Sequence, residues 1–430
     1  MKSHLRSRRR FGLLLGLAVV ASACGSAVSS ATPATTLPAP ASASGSPTFA
    51  VGSPNASDQA IYATIESQVD TIRELQAQTP VTPVLLDSSG VRGWLTKADA
   101  AQTNHVALAD ESRLFIHLGL LPPGSSLEQI ELDLQAGQVV GFYDPVSKGL
   151  YVLSDSGGVG PTQKLTFSHE YTHALQDQNF GLANLATDAP DQGDRDLART
   201  ALPEGDATLV MTMWSEKYLS LGELLTIVGE SFGGPQAAQL AKAPAIMRGT
   251  LMFPYQDGLS FVEGIYNSGG WAAVDKLYSN PPDSTSQILH PELYAAGVKP
   301  VVVSLPAVPA SLGSSWKLTM QDTLGELQLR IWLEGESPTN AATSAAAAAT
   351  SSWGGDRVGL YESPNGSWAV LLRTEWRSAA GATAFSDAAT QTLTRLGAQF
   401  QVCGDATHID VAVASSELLV PDFIVCNSMG

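Results

Sequence analysis

The clearest amphipathic period in the chain begins after Ser57, where Ile61, Ile65, Val69, Ile72 and Leu75 recur three and four residues apart. That spacing predicts a helix with one buried stripe and Ser57 as its N-cap. Helical periods follow over 96–119 and 126–136, the second stopped by Gly137. The period then drops to two at 139–143 and 150–153, around Asp-Pro-Val-Ser-Lys-Gly, which predicts a β-hairpin. Helical spacing returns over 163–178 and again over 201–217, where Pro203 marks a kink or a first turn. Shorter helices are expected at 221–229, 235–246, 258–267, 270–278 and 284–290. Beyond Pro300 the texture changes. Strands are expected at 301–303, 357–362, 368–373, 399–403, 409–413 and 422–426, with helices at 322–333 and 378–397 and a hairpin turn at Pro364-Asn365-Gly366. Ala345–Ala349 reads as either helix or loop.

The implied fold class is α+β, with no internal repeat. A mainly helical part over 58–300 carries an edge hairpin, and a smaller α+β module spans 301–430.

The helix at 163–178 contains His169-Glu170-Tyr171-Thr172-His173. Residues four apart share a helix face, so two imidazoles can grip one metal ion while Glu170 reaches a water beside it. The chain has only seven His, which makes a chance match to this pattern rare. Leu165, Phe167, Ala174 and Leu175 flank the motif, so the helix is partly buried, and buried His need partners. A third ligand is required, and no further His follows at a suitable spacing. Glu204, in Pro203-Glu204-Gly205-Asp206-Ala207, is the natural third ligand. Gly205 and Ala207 remove bulk there, so that this helix can pack closely on another.

His169, His173 and Glu204 in this setting resemble the gluzincin branch of zinc metallopeptidases, and most of all its peptidase MA-like group of exported bacterial proteins. The resemblance runs from about Gly137 to Tyr294. It implies a zincin-like catalytic part, a Zn²⁺ cofactor and a peptide or protein substrate. In zincin folds the strand before the motif edges the cleft and pairs with the substrate backbone, a role expected here for the hairpin at 139–154.

Ligand His residues commonly donate their other ring N–H to a carboxylate. Asp177, one turn beyond His173, and Asp206, two residues beyond Glu204, are the candidates. For the oxyanion, His290 is the first candidate donor and Tyr255 the second. His117, inside Leu-Phe-Ile-His-Leu, reads as a core histidine.

Residues 1–24 read as an export signal: a basic start, a short apolar run and small residues before Cys24. Cys24 resembles the lipidated Cys of a bacterial lipobox, so a lipid anchor on the outer membrane face is expected, with plain secretion as the alternative. Ser7-Arg8-Arg9-Arg10-Phe11 leaves twin-arginine and general export both open. Residues 25–57 carry no charge before Asp58 and read as a tether. Cys403 and Cys426 are expected to form a disulfide in an oxidising compartment. Loss of residues 1–23 removes five positive charges and takes the net charge from −17 to −22, which argues against nucleic-acid binding. Oligomeric state is not legible.

These readings point to an exported zinc metallopeptidase with Glu170 as general base. A non-catalytic zinc-binding envelope lipoprotein and a cell-wall amide hydrolase are the alternatives.

Overall fold

The computed structural model describes residues 14–15, 51–87, 89–91, 93, 104–138, 140–153, 158–185, 191–233, 235–424 and 426. Cys24 and most of the expected signal and tether lie outside these residues. None of the described helices is long and apolar enough to cross a membrane.

The helical half opens with two short strands, β1 (Leu14–Leu15) and β2 (Val51–Gly52), and then α1 (Ala56–Arg73). Asn55, not Ser57, caps α1, its side-chain oxygen accepting from the Ser57 and Asp58 amides. Next come β3 (Pro83–Leu86), α2 (His105–His117), α3 (Leu127–Gln138), β4 (Gly141–Asp144) and β5 (Gly149–Leu153). The expected hairpin is therefore present, but it is not at an edge: β1 pairs with the outer side of β4 and β3 with the outer side of β5. The hairpin belongs to a five-stranded mixed sheet in the order β1-β4-β5-β3-β2, in which β3 and β5 run parallel.

Helices α4 (Pro161–Phe180), α5 (Gly193–Tyr218), α6 (Leu221–Gly233), α7 (Pro235–Lys242) and α8 (Ala245–Ser279) follow, then the short α9 (Thr285–Leu289) and α10 (Pro291–Ala295). The two helices expected at 258–267 and 270–278 are the end of one long helix, α8, broken at Gly269–Gly270, where Gly270 takes φ 64°. Pro203 lies well inside α5 and not in its first turn.

The C-terminal module comprises β6 (Lys317–Asp322), α11 (Gly325–Glu334), α12 (Asn340–Thr350), β7 (Trp353–Glu362), β8 (Trp368–Trp376), α13 (Ala379–Leu396), β9 (Gln399–Gly404), β10 (His408–Ala414) and α14 (Val420–Phe423). Its antiparallel sheet has the order β6-β7-β8-β10-β9. Two expected strands do not form. At 301–303 only the Val301 amide reaches a partner strand, at Gly354, and Val302 is 94% exposed. At 422–426, Pro421 sits in the first turn of α14, and that short helix packs Phe423 against Trp316 and Tyr361. The Cys403–Cys426 disulfide is formed and pins this end to β9.

One apolar core runs through both halves. It joins Tyr62, Phe167, Leu202 and Phe261 to Trp332, Trp353, Leu372, Phe385 and Val411. Polar ties reinforce it. Arg113 holds Glu362 with two hydrogen bonds, Trp332 donates its indole N–H to the Leu118 carbonyl, and Arg357 pairs with Asp191. The module is thus packed onto the helical half along a shared core.

Candidate metal centre

Helix α4 starts at Pro161, whose missing N–H costs nothing at a first turn, and stops at Gly181 in the left-handed region, φ 72°. Every residue from Leu165 to Asp177 is buried, polar ones included. A buried helix this polar must spend its side chains on partners within the protein.

Two of those side chains meet a third from α5. His169 Nε2 lies 3.0 Å from His173 Nε2 and 3.1 Å from Glu204 Oε2, and His173 Nε2 lies 3.4 Å from the same oxygen. All three residues are at most 2% exposed. Among the described residues this is the group of His, Cys, Asp and Glu donors that converges as metal ligands do. Zinc ligand atoms at about 2.0–2.1 Å in a tetrahedron stand roughly 3.3 Å apart, so the triangle fits that ion. The donor set also fits, with two imidazoles and one carboxylate and room for a fourth ligand in such a coordination.

The charge states suit the same purpose. Burial drives the His169 imidazole toward its neutral form, against the pull of Glu204. Burial opposes ionisation of Glu204, but His173 and His169 outweigh it and hold that carboxyl at about 2. Burial likewise opposes a charge on His173, yet Glu204 and Glu170 lift it to about 9. A metal entering this triangle would displace the His173 proton.

Helix α5 can deliver Glu204 because it lies almost in contact with α8. A Cβ on Gly205 would come within 2.2 Å of the Gly258 carbonyl oxygen, and one on Gly258 within 2.4 Å of the Ala201 oxygen. The close helix approach expected of Gly205 is therefore real, and its partner is α8. One turn before Gly258, the same crossing brings Tyr255 to the site. Its ring centroid is 6.1 Å from that of His169, and its phenol donates to Glu204. Burial, with Glu204 and Glu170 adding to it, pushes the Tyr255 hydroxyl well above its ordinary value, so it stays a proton donor.

The orienting groups are not those expected. Asp177 does not reach His173; it accepts from the Tyr143 hydroxyl (2.7 Å), Lys148 Nζ (2.6 Å) and the Leu182 amide. At the last turn of α4, its side chain points across to the hairpin. Asp206 instead pairs with the fully buried Arg73 and accepts from the Tyr278 hydroxyl, because it leaves α5 on the face opposite α4. Gln176 orients His173. Its Oε1 accepts from Nδ1 at 2.8 Å, and its Nε2 donates to the Pro203 carbonyl at 3.0 Å. One amide thereby fixes the His173 tautomer and ties the two ligand-bearing helices together, one residue before Glu204. Its place three residues after His173, on the same face, was the available signal.

His290 is not gathered into the site. Its ring bonds Glu326 of the module at 2.7 Å and faces Glu292, and the Glu326 hydrogen bond raises its pKa. His290 closes α9 and opens α10. The capped end faces α11. His117 stacks on Trp368 at 3.6 Å, and burial lowers its pKa to about 4, as befits a neutral packed histidine.

Residues 317–417 match a family described as a domain of unknown function, DUF8575; the match covers most of the C-terminal module and none of the helices that carry His169, His173 and Glu204. No curated protein and no solved structure matches the chain.

Proposed function

We propose that this protein is an exported zinc-dependent peptidase whose helical half is zincin-like. The observation that carries the reading is the buried triangle of His169, His173 and Glu204 with Glu170 on the next helix position. Metal binding alone would not call for that carboxylate; hydrolysis does.

His169, His173 and Glu204 would hold the ion, which when bound activates a water and polarises the scissile carbonyl. Glu170 takes the proton from the attacking water and passes it to the leaving amine. Tyr255, a phenol beside the ligands, donates to the developing oxyanion after releasing Glu204. Gln176 keeps the His173 Nε2 lone pair turned to the ion. In the structure β1 (Leu14–Leu15) covers the outer side of β4; as β1 belongs to the expected export signal, its removal would leave that side of β4, next to Glu170, open to an extended substrate. The Cys403–Cys426 disulfide supports an oxidising, exported setting. A lipid anchor at Cys24 belongs to the same proposal.

The test is cleavage of a diverse peptide pool by the zinc-supplied chain beside its Glu170→Gln variant. The reading predicts cleavage by the parent and a loss of about a thousandfold in the variant. Equal cleavage by both would remove Glu170 from the chemistry, and silence from the parent across the pool would reject the peptidase reading.

A further inference from the structure

Glu170 is held from outside its own helix by Tyr143 of β4. The Tyr143 backbone N–H donates to Glu170 Oε2 at 2.8 Å, while the Tyr143 hydroxyl donates to Asp177 Oδ2 at 2.7 Å. Glu170 and Asp177 are seven residues apart on α4, two turns along one face. Tyr143 thus lies along that face and touches it at both ends. Lys148, from the hairpin turn, adds a second bond to the same Asp177 oxygen. Tyr143 and Glu170 are at most 1% exposed.

The strand can lie this close because Gly141 has no side chain. A Cβ there would crowd the Tyr151 carbonyl oxygen of β5 at 3.0 Å and Thr166 Cγ2 of α4 at 3.2 Å. The β4 backbone therefore rests on α4 side chains at this end and is anchored by the Tyr143–Asp177 bond at the far end.

We propose that Tyr143 is the positioning residue for the general base. Its phenol, locked on Asp177, sets the depth of β4 on α4, and its amide then fixes which oxygen of Glu170 turns to the water. This rests on the peptidase reading. With Oε2 held by the strand, Oε1 receives the proton, and the carboxylate needs no rotation before the transfer. Asp177 serves this clamp and not the metal: its three bonds run to Tyr143, Lys148 and Leu182.

The test pairs kinetics with amide hydrogen exchange and zinc affinity on the full chain. Tyr143→Phe keeps the amide and removes the phenol. The clamp predicts a fall in kcat of about tenfold, with KM and zinc affinity each within about twofold of the parent. Asp177→Asn, which keeps an acceptor for the phenol, loses less than Asp177→Ala, and adding Tyr143→Phe to Asp177→Ala costs little more than either alone. Glu170→Ala speeds exchange at the Tyr143 amide, a readout that needs no activity. A parent that cleaves nothing while this exchange coupling holds would sink the peptidase reading and leave the clamp standing. A Tyr143→Phe variant with parental kcat, or exchange at residue 143 indifferent to Glu170, would overturn the clamp itself.

Discussion

Two buried carboxylates, one in each half of the molecule, are satisfied in opposite ways. Asp356, 3% exposed in the module, accepts from the Leu324 and Gly325 amides and from the Trp353 indole. Its partners are fixed donors, and they close the start of α11 onto β7. Glu204, 2% exposed in the helical half, faces two imidazoles and a phenol. Its partners are titratable groups whose nitrogens also face each other. A carboxylate surrounded by N–H donors completes a fold. One surrounded by other metal-type ligands invites an ion. Burial alone does not separate these cases; the identity of the partners does.

The largest effect that would sharpen this contrast comes from two amide substitutions. Glu204→Gln should weaken zinc binding by more than about a hundredfold, read by competition with a chelating dye, while the protein stays folded. Asp356→Asn should leave zinc affinity alone and lower stability by about 1–3 kcal/mol, read by denaturant unfolding. Equal loss of zinc in both would erase the distinction. Next in size, Gln176→Leu should lower zinc affinity about 10- to 100-fold by freeing the His173 ring, with calorimetric titration as the measure.

Gly205→Ala acts through packing. Its methyl would meet the Gly258 carbonyl, separate α5 from α8 and cost about 1–3 kcal/mol in thermal or chemical unfolding. Smallest is a pH effect at the junction of the halves. Burial, with Asp356 and Glu326 adding to it and Thr285 opposing it, raises Asp194 to about 8. The fold therefore favours the protonated carboxyl. That contribution is complete below the ordinary value near 4 and is lost as pH climbs through about 8. His290, raised by Glu326, loses its contribution in the same direction. Stability should fall by about 1 kcal/mol between pH 7 and 9, and Asp194→Asn should flatten that slope in unfolding measured across the range.

The legible part of the site was the part set by helical spacing. His169, Glu170 and His173 share a turn, so periodicity alone puts them together. Glu204 could be chosen because Gly205 signalled a close helix contact. Tyr255 was the weaker candidate in sequence because its approach depends on the α5–α8 crossing, which no local pattern encodes. His290 does cap α9, but α10 begins at the next residue where a loop was expected, and α11 of the module claims its ring. Asp177 and Asp206 were chosen by charge and distance along the chain. Their true partners, Tyr143 and Arg73, come from other elements, 34 and 133 residues away. In the fold, the hairpin and the long helices followed from period and capping. The expected strand at 301–303 failed because only its first residue meets the edge of β7, through the Val301 amide, while Val302 turns outward to solvent.

The most direct measurement of the central claim is zinc binding to the apo chain, by stoichiometry and affinity, beside His169→Ala and His173→Ala. One tightly bound zinc per chain, lost in both variants and accompanied by proton release and a rise in unfolding temperature, is the predicted result. A chain that binds no zinc, or binds it equally well without either histidine, would contradict the account.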